Sequence, residues 1–431
     1  MRVLLLGSGG RESAMASALR RSPLVDSLVA APGNPGIAAF AETVPVDPED
    51  VSAVLELARK LSPDLVVVGP EAPLTAGVGD ALRELGIDVF GPDAAAAQIE
   101  ASKAFAKEVM AQAGVTVPRW SLFSDASEAI AFMDELGPPY VIKANGLAAG
   151  KGVVVTEDRS EAVHAIEERL VAKSFGAAGE EIVIEEFLEG QEVSLIAFTD
   201  GDAVLPCEPA QDYKRVFDDD AGPNTGGMGS YSPVPACPPD VAAAIGDDVL
   251  RPVVRALGRR AATPFVGALY GGFVLTSGGP RVLEFNARFG DPETQALLPR
   301  LESDFAEICA ACARRELAGT AVEWSPKVSV TVVLASKGYP GSYAKGLEIT
   351  GVERAAALDD VDVFHAGTAL QEGRLVTSGG RVVAVNALGD TFASARALVY
   401  RAADMIDFEG KHLRSDIALR AEEATTERGD R

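Results

Sequence analysis

Short apolar runs alternate with amphipathic stretches over the first hundred residues. The apolar runs end near Gly or Pro and read MRVLLL, SLVAAP, PDLVVVGP and IDVFGP, with helical patterns such as SAVLELARKL and GVGDALRELG between them. Continuous apolar strands separated by amphipathic helices indicate a parallel sheet covered on both faces. The pattern therefore predicts a small doubly wound α/β domain over residues 1–98.

From residue 118 the chain changes to a mixed α+β pattern. Strand-like runs include YVIKAN, GVVVT, EEIVIEEFL, FVGALYGGFVLT, PRVLEFN, KVSVTVVLAS and RVVAVNAL. Four helices are predicted, over about 95–114, 125–136 and 293–316 and over TFASARALVYRAADMI. The terminal AEEATTERGDR reads as a frayed tail. At 431 residues, the chain is long enough for two to four domains.

Charge and cysteine usage narrow the class of protein. The 39 basic and 63 acidic side chains give a formal net charge of −24, which disfavours nucleic acid or an anionic membrane as a partner. Four scattered cysteines suit a reducing compartment. No apolar run approaches the roughly 20 residues of a membrane span. We expect a cytoplasmic enzyme with small-molecule substrates.

Two strand-associated segments suggest nucleotide binding. In VIKANGLAAGKGVVV, Lys143 ends a strand, and Gly150 and Lys151 belong to a glycine-rich loop before the next strand. Glycines let backbone N–H groups approach phosphate, and lysines supply charge, so the loop predicts a flap over phosphates rather than a Walker A loop. In EEFLEGQEVS, main-chain groups could contact adenine and Glu192 a ribose, although an exposed acidic hairpin explains this segment equally well.

The segment VLEFNARFGDPETQ predicts a metal and phosphate site. Glu284 and Asn286 stand at i and i+2 of a strand, so both side chains project from one face. Their oxygens suit Mg²⁺, and Arg288 is predicted to continue that face towards a transferred phosphate. Asp291 then precedes the predicted long helix.

The long polar stretch 210–233 predicts a functional loop. It contains Asp212 and Lys214, and its Asn224-Thr-Gly226-Gly227 run suggests a backbone clamp around a ligand.

Three other groups of residues do not predict a catalytic or metal site. The Cys309–Cys312 pair reads as a buried helix face, the three histidines are scattered, and the acidic run at 217–220 reads as a solvated loop.

Eleven ordered segments together resemble the phosphoribosylamine–glycine ligase family of the ATP-grasp superfamily. They are GSGGRES, APGNPG, GPEAPL, SKAFAK, KANGLAAGKGV, QDYKR, GPNTGGMGSYSP, EFNARFGDPETQ, KGYPGSY, VFHAGT and NALGDTFASA. The resemblance implies an α/β and α+β multidomain fold: an N-terminal Rossmann-like domain (1–100), an ATP-grasp domain (101–324) with a mobile lid (122–190), and a small C-terminal α+β domain (325–431).

The implied activity is ATP-dependent ligation of glycine to 5-phosphoribosylamine in purine biosynthesis. Glycine's carboxylate would attack the γ-phosphate of ATP to give glycyl phosphate, and the amine would then displace phosphate from it. The resemblance further implies Mg²⁺ or Mn²⁺ and a monomer or weak dimer. Two alternatives stay open: another ATP-grasp ligase, such as a biotin-carboxylase-like or formate- or CO₂-using enzyme, and a nucleotide-binding protein without catalysis.

The resemblance and the motifs together assign roles to individual residues. Catalysis is assigned to Lys143, Arg288 and Asp212, and metal binding to Glu284 and Asn286. ATP binding is assigned to Lys103, Lys143, Gly150, Lys151, Glu185, Phe187, Leu188 and Glu192. Substrate binding is assigned to Gly9, Gly10, Arg11, Glu12, Gly33, Asn34, Pro70, Glu71, Lys214, Asn224, Gly226, Gly227, Asp291 and Glu293.

Two positions depart from the family pattern: Ser13 and Tyr213 stand where the family usually has His. The loop after the first predicted strand, Gly7-Ser8-Gly9-Gly10-Arg11-Glu12, is called the opening loop here, and its sequence argues against a nicotinamide site. Glu12 replaces the last glycine of G-x-G-x-x-G, and the second strand ends in Ala30-Ala31-Pro32 without an acidic residue. We therefore expect this loop to hold one phosphate of phosphoribosylamine.

Overall fold

The N-terminal part is a parallel sheet flanked by helices. The structure, a computed structural model, describes residues 1–146, 152–172 and 179–429. The strands here are β1 Arg2–Gly7, β2 Ser27–Pro32, β3 Glu42–Thr43, β4 Leu65–Val68 and β5 Asp88–Phe90, in the order β3-β2-β1-β4-β5. The helices are α1 Gly10–Arg21, α2 Val51–Leu61, α3 Glu71–Thr75, α4 Val78–Glu84, α5 Ala94–Ala101 and α6 Lys103–Gln112. This confirms the predicted doubly wound unit.

The prediction of a single helix over 95–114 is wrong, because the helix is interrupted at Ser102. Its φ of −136° and ψ of 116° are extended, and its hydroxyl accepts a hydrogen bond from the Phe105 amide, which caps α6. The Lys103 amide donates to the Asn145 carbonyl at 3.0 Å. The break therefore places Lys103 in the first turn of α6, against the end of a strand in the next unit.

The second unit is an antiparallel sheet with two helices. Its elements are β6 Trp120–Phe123, α7 Ala126–Leu136, β7 Tyr140–Ala144, β8 Val153–Thr156, α8 Arg159–Leu170 and β9 Ile182–Glu185, and its strand order is β6-β9-β7-β8. The predicted helix at 125–136 is confirmed. Gly150 and Lys151, assigned to the phosphate flap, lie outside the described residues.

The central unit contains a four-stranded sheet. Its elements are β10 Gln191–Thr199, β11 Val204–Pro206, β12 Gln211–Asp212, β13 Arg215–Phe217, β14 Ala221–Asn224, β15 Gly229–Ser232, α9 Pro239–Ile245, α10 Arg251–Ala261, β16 Gly267–Thr276, β17 Gly279–Asn286, α11 Glu293–Leu297 and α12 Phe305–Arg314. The sheet order is β11-β10-β16-β17. The long helix predicted at 293–316 is wrong: a 3₁₀ turn at Leu298–Arg300 containing Pro299 ends α11, and Asp304 caps α12.

The C-terminal unit shares its sheet with the central part of the chain. Its elements are β18 Val328–Ser336, α13 Val352–Ala356, β19 Val361–His365, β20 Thr368–Gln371, β21 Arg374–Thr377, β22 Arg381–Gly389, α14 Phe392–Met405, β23 Lys411–His412 and α15 Leu419–Gly429. The sheet order is β12-β15-β18-β22-β19, with β23 beside β18, so two strands come from residues 211–232. The late helix is confirmed as α14. The prediction of a frayed tail is wrong, because α15 forms there and Ala421 on it is buried.

Aromatic packing fixes the segment after β17 against the first sheet. The Phe289 ring lies 6.2 Å from Phe90 of β5, 5.5 Å from Phe198 of β10 and 5.9 Å from Phe305 of α12, measured between centroids. All four rings are buried. Such pairs stabilise beyond their buried area. Arg288 and Asp291, on either side of Phe289, are consequently held at the junction of the N-terminal and central units.

Candidate active site

A buried carboxylate joins two lysines where the second unit meets α6. Glu185, at the end of β9, is 2% exposed; the Lys107 ammonium lies 2.6 Å from it, and Lys143 of β7 forms a second ion pair with it. Burial acts to raise the pKa of Glu185, but Lys143 and Lys107 outweigh it and hold the pKa below its ordinary value. Glu185 is therefore an ionised anchor for Lys143, and its assignment to the adenine edge stays a prediction.

The predicted metal ligands, Glu284 and Asn286, lie on β17, which pairs with β16. Glu284 pairs with Gly272 and Asn286 with Tyr270, a register that puts both side chains on one face. Burial acts to raise the pKa of Glu284, but Lys214, Lys143 and Lys103 lower it below its ordinary value. An ionised carboxylate beside an amide oxygen suits a hard divalent cation. Within the described residues, no three His, Cys, Asp or Glu side chains gather as a metal site.

Lys214 connects the polar loop to two carboxylates. Its ammonium lies 3.1 Å from Glu192 and 3.7 Å from Glu284. Asp212, two residues earlier, has its pKa raised to about 8 by burial, against the opposing effect of Lys214. The loop thus brings a cation to the two acidic positions assigned to ribose and metal. Phe187 is exposed and Leu188 half-buried after β9.

Arg288 leaves the face of β17. The strand ends at Asn286, and the guanidinium lies 3.2 Å from Glu71 and 2.7 Å from Glu100, both on helices of the first unit. Glu100 also accepts a hydrogen bond from the Ala287 amide at 2.8 Å. The expectation that Arg288 continues the metal-binding face is therefore wrong, because two carboxylates from another unit hold it. Its contact with phosphate stays a prediction.

The opening loop is braced by its own side chains. The Gly9 amide donates to Glu12 at 2.6 Å, the Arg11 Nε–Glu12 distance is 2.5 Å, and Arg11 also donates to the Phe289 carbonyl. Arg11 and Glu12 are only 6% and 2% exposed. Both side chains therefore shape the loop from inside. Gly10 begins α1, whose N-terminal N–H groups suit an anion.

Further predicted substrate positions surround this loop. Asn34 donates to the Ser8 carbonyl at 2.9 Å and to the His365 carbonyl at 2.8 Å. Gly33 adopts a φ of +68°, and Pro70 precedes α3, which begins at Glu71. The structure thus places Gly33, Asn34, Pro70 and Glu71 at the ends of β2 and β4, on the same edge of the sheet as Gly9 and Gly10.

Asp291 is held by groups from two other segments. Arg381 of β22 lies 3.1 Å from its carboxylate, and Gln295 donates to it at 2.6 Å. Arg381 also donates to the Gly226 carbonyl at 2.6 Å, which ties the predicted clamp, including Asn224 at the end of β14, to Asp291. Glu293 accepts a hydrogen bond from Ser194 at 3.1 Å.

Sequence matches decide the family. The family models described as the N domain, the ATP-grasp (A) domain and the C domain of phosphoribosylglycinamide synthetase match residues 1–100, 101–294 and 329–420. The chain belongs to the phosphoribosylglycinamide synthetase family. This confirms the family resemblance and the ATP-grasp fold expected from the sequence.

Relatives of the synthetase family match along nearly the whole chain. A Streptomyces coelicolor protein named phosphoribosylamine–glycine ligase is 49% identical over 424 residues, covering 98% of this chain and 99% of the relative. A Brucella melitensis protein of that name is 46% identical over 423 residues, covering 98% and 99%. The crystal structure of phosphoribosylamine–glycine ligase from Thermotoga maritima matches with a TM-score of 0.84 at 33% identity, covering 96% and 100%.

The same fold occurs outside the synthetase family. A biotin carboxylase from Campylobacter jejuni matches with a TM-score of 0.74 at 14% identity, covering 98% of this chain and 95% of the carboxylase. At this identity the likeness concerns the fold alone. In the part of the chain that the structure describes, no helix has the length and apolarity needed to cross a bilayer.

The two departures from the family pattern occupy buried positions. The Ser13 hydroxyl, on α1, accepts a hydrogen bond from the His365 amide at 3.2 Å. The Tyr213 hydroxyl accepts one from the Ala418 amide at 2.9 Å, and the Arg414 guanidinium lies 4.7 Å from its ring centroid. Ser13 thus joins the N-terminal unit, and Tyr213 the central unit, to the C-terminal unit.

Three charged residues of the site were not singled out from the sequence. Lys107 could have been found, because it stands at i+4 from Lys103 on one face of α6. Glu100 and Arg381 carry no local signal, since their partners Arg288 and Asp291 lie far away in sequence. Cys309 and Cys312 are buried on α12, which confirms the reading of a helix face.

Proposed function

We propose that this chain catalyses the ATP-dependent ligation of glycine to 5-phosphoribosylamine, giving glycinamide ribonucleotide, ADP and phosphate through glycyl phosphate. The observation that carries the proposal is the Glu284 carboxylate, which lies 3.7 Å from Lys214 and whose pKa Lys214, Lys143 and Lys103 hold below its ordinary value, in a chain of the phosphoribosylglycinamide synthetase family. Several cations around one ionised carboxylate suit a polyphosphate–metal complex, whose transfer chemistry depends on positioning and charge neutralisation.

Glu284 and Asn286 would hold Mg²⁺ or Mn²⁺, which would neutralise charge on the transferring phosphoryl group. Lys143, fixed by Glu185, would neutralise ATP phosphate oxygens. The braced opening loop, with the α1 N-terminus, would take the phosphate of phosphoribosylamine. The acidic composition disfavours nucleic acid and anionic membranes as partners, and we propose a cytoplasmic monomer or weak dimer that binds small molecules.

ADP release measured with each substrate omitted in turn tests the proposal. We expect ADP formation only when ATP, a divalent metal, glycine and phosphoribosylamine are all present, with a product heavier than phosphoribosylamine by one glycyl group. ADP formation driven by bicarbonate or formate in place of glycine would favour a different ATP-grasp ligase. ATP binding without glycine-dependent turnover would favour a nucleotide-binding protein.

A further inference from the structure

The acidic loop, defined here as residues 211–224, is bound along its length by the C-terminal segment, residues 412–418. Asp218 accepts hydrogen bonds from the Ser415 amide and hydroxyl, at 2.8 and 2.5 Å. The Asp219 amide donates to Asp416 at 3.0 Å. His412 contacts the Val216 carbonyl at 2.8 Å. The acidic run at 217–220 is exposed, as expected of a solvated loop, but its carboxylates are also paired with the C-terminal segment.

Arg414 is the centre of this contact and has no exposed side-chain surface. Its guanidinium donates to the Arg215 carbonyl at 3.0 Å, to Asp220 at 3.0 Å and to Asp416 at 2.6 Å. It also covers the ring of Tyr213. A buried guanidinium with several partners has one geometry, so it fixes the backbone on both sides of Lys214.

Lys214 follows Tyr213 directly and reaches Glu192 and Glu284. The backbone at this point is also fixed on the other side, since the Tyr213 amide donates to the Gly229 carbonyl at 3.0 Å and the Thr225 amide to the Lys214 carbonyl at 2.7 Å. The direction of the Lys214 side chain is thus set by a loop that the C-terminal segment holds in place.

We propose that Tyr213 and Arg414 are positioning residues through which the C-terminal segment aims Lys214 at the two carboxylates of the active site. The proposal rests on the proposed function and deepens it. Neither residue touches the reacting atoms. The Tyr213 hydroxyl accepts from the Ala418 amide, so the contact that orients the loop depends on the tyrosine found in this chain.

The test compares Arg414→Gln, Arg414→Lys, Tyr213→Phe and Tyr213→His in glycine-dependent ADP release by the full chain. We expect Arg414→Gln to lower kcat by about 10- to 100-fold, the loss typical of a misplaced group, while the KM for ATP stays within about twofold. Arg414→Lys keeps the charge against Asp220 and Asp416 and should recover part of kcat. Both Tyr213 variants should lower kcat to a smaller extent.

Asn386→Ala is the matched control. Asn386 is buried in the same C-terminal sheet, where it donates to Ser329 and Thr331, but it contacts no residue of the acidic loop among the bonds described. We expect Asn386→Ala to lower the melting temperature about as much as Arg414→Gln does, but to leave kcat unchanged. If Arg414→Gln also lowers only the melting temperature, or if Arg414→Lys recovers nothing while folding normally, the positioning role is overturned. Absence of glycine-dependent turnover in the unaltered chain would instead reject the proposed function.

Discussion

The Lys107 ammonium lies 2.6 Å from the Glu185 carboxylate, and both groups are buried. Because Glu185 also pairs with Lys143, Lys107 acts through a shared anion on the lysine that we propose to bind ATP phosphates. Burial lowers the pKa of Lys107, against the opposing effect of Glu185. The two lysines and the glutamate therefore form one coupled charge cluster.

Replacing Lys107 by Met should expose that coupling. The change keeps an unbranched apolar stem of four heavy atoms but removes the ammonium, which leaves Glu185 with one cation. Breaking a buried pair costs about 3–5 kcal/mol of unfolding free energy. We expect a clear loss in denaturant unfolding and weaker ATP binding by calorimetry. Adding Glu185→Gln should restore part of the stability but not ATP binding. Equal losses from the double and single variants would contradict the coupling.

Glu284→Ala should remove most turnover. Loss of a metal ligand is expected to cost several kcal/mol of transition-state stabilisation, a fall of about a thousandfold in glycine-dependent ADP release. Glu302 is exposed, and the control variant Glu302→Ala should keep full activity. Near-normal ADP formation by Glu284→Ala would reject the metal assignment.

Glu100 should make stability depend on pH. Burial, opposed by Arg288, raises its pKa to about 7 from 4.5, whereas Glu71 on the same guanidinium has a pKa of about 2. A raised pKa in the folded state means that the contribution of Glu100 is complete below pH 4.5 and is lost as the pH rises through 7. Gln cannot titrate, so the unfolding free energy of Glu100→Gln relative to the unaltered chain should increase by about 3 kcal/mol from pH 4.5 to 7.5. A constant difference across that range would show that the pKa of Glu100 is the same in the folded and the unfolded chain, and would reject the effect of burial.

Local patterns predicted the longer strands and the helices α2, α4, α7 and α14, because apolar periodicity records which faces are buried. They missed α8, α9, α10 and α13, and the stretch 210–233 expected to be a loop contains the short strands β12 to β15. They failed at Ser102 and Pro299, where a cap or a missing N–H ended a helix within an otherwise helical pattern. The residues of the candidate site likewise fall into those that the local sequence could predict and those that it could not. Glu284 and Asn286 were predictable from alternation along one strand, whereas the partners of Arg288 and Asp291 come from segments 90–217 residues away in sequence and leave no local signal.

Gly227 should tolerate no side chain. Its φ is +107°, and a Cβ atom there would lie 2.4 Å from Cδ of Pro292, beside Asp291. Gly279 has a similar φ of +98° but nothing within 4 Å of its Cβ position, so Gly279→Ala reports the backbone strain alone. We expect both alanine variants to lose about 1–3 kcal/mol of unfolding free energy from strain. Only Gly227→Ala should also raise the KM for phosphoribosylamine, because it displaces the clamp from Asp291 and Arg381. If the two variants show the same kinetics, the close approach of Gly227 to Pro292 has no part in substrate binding.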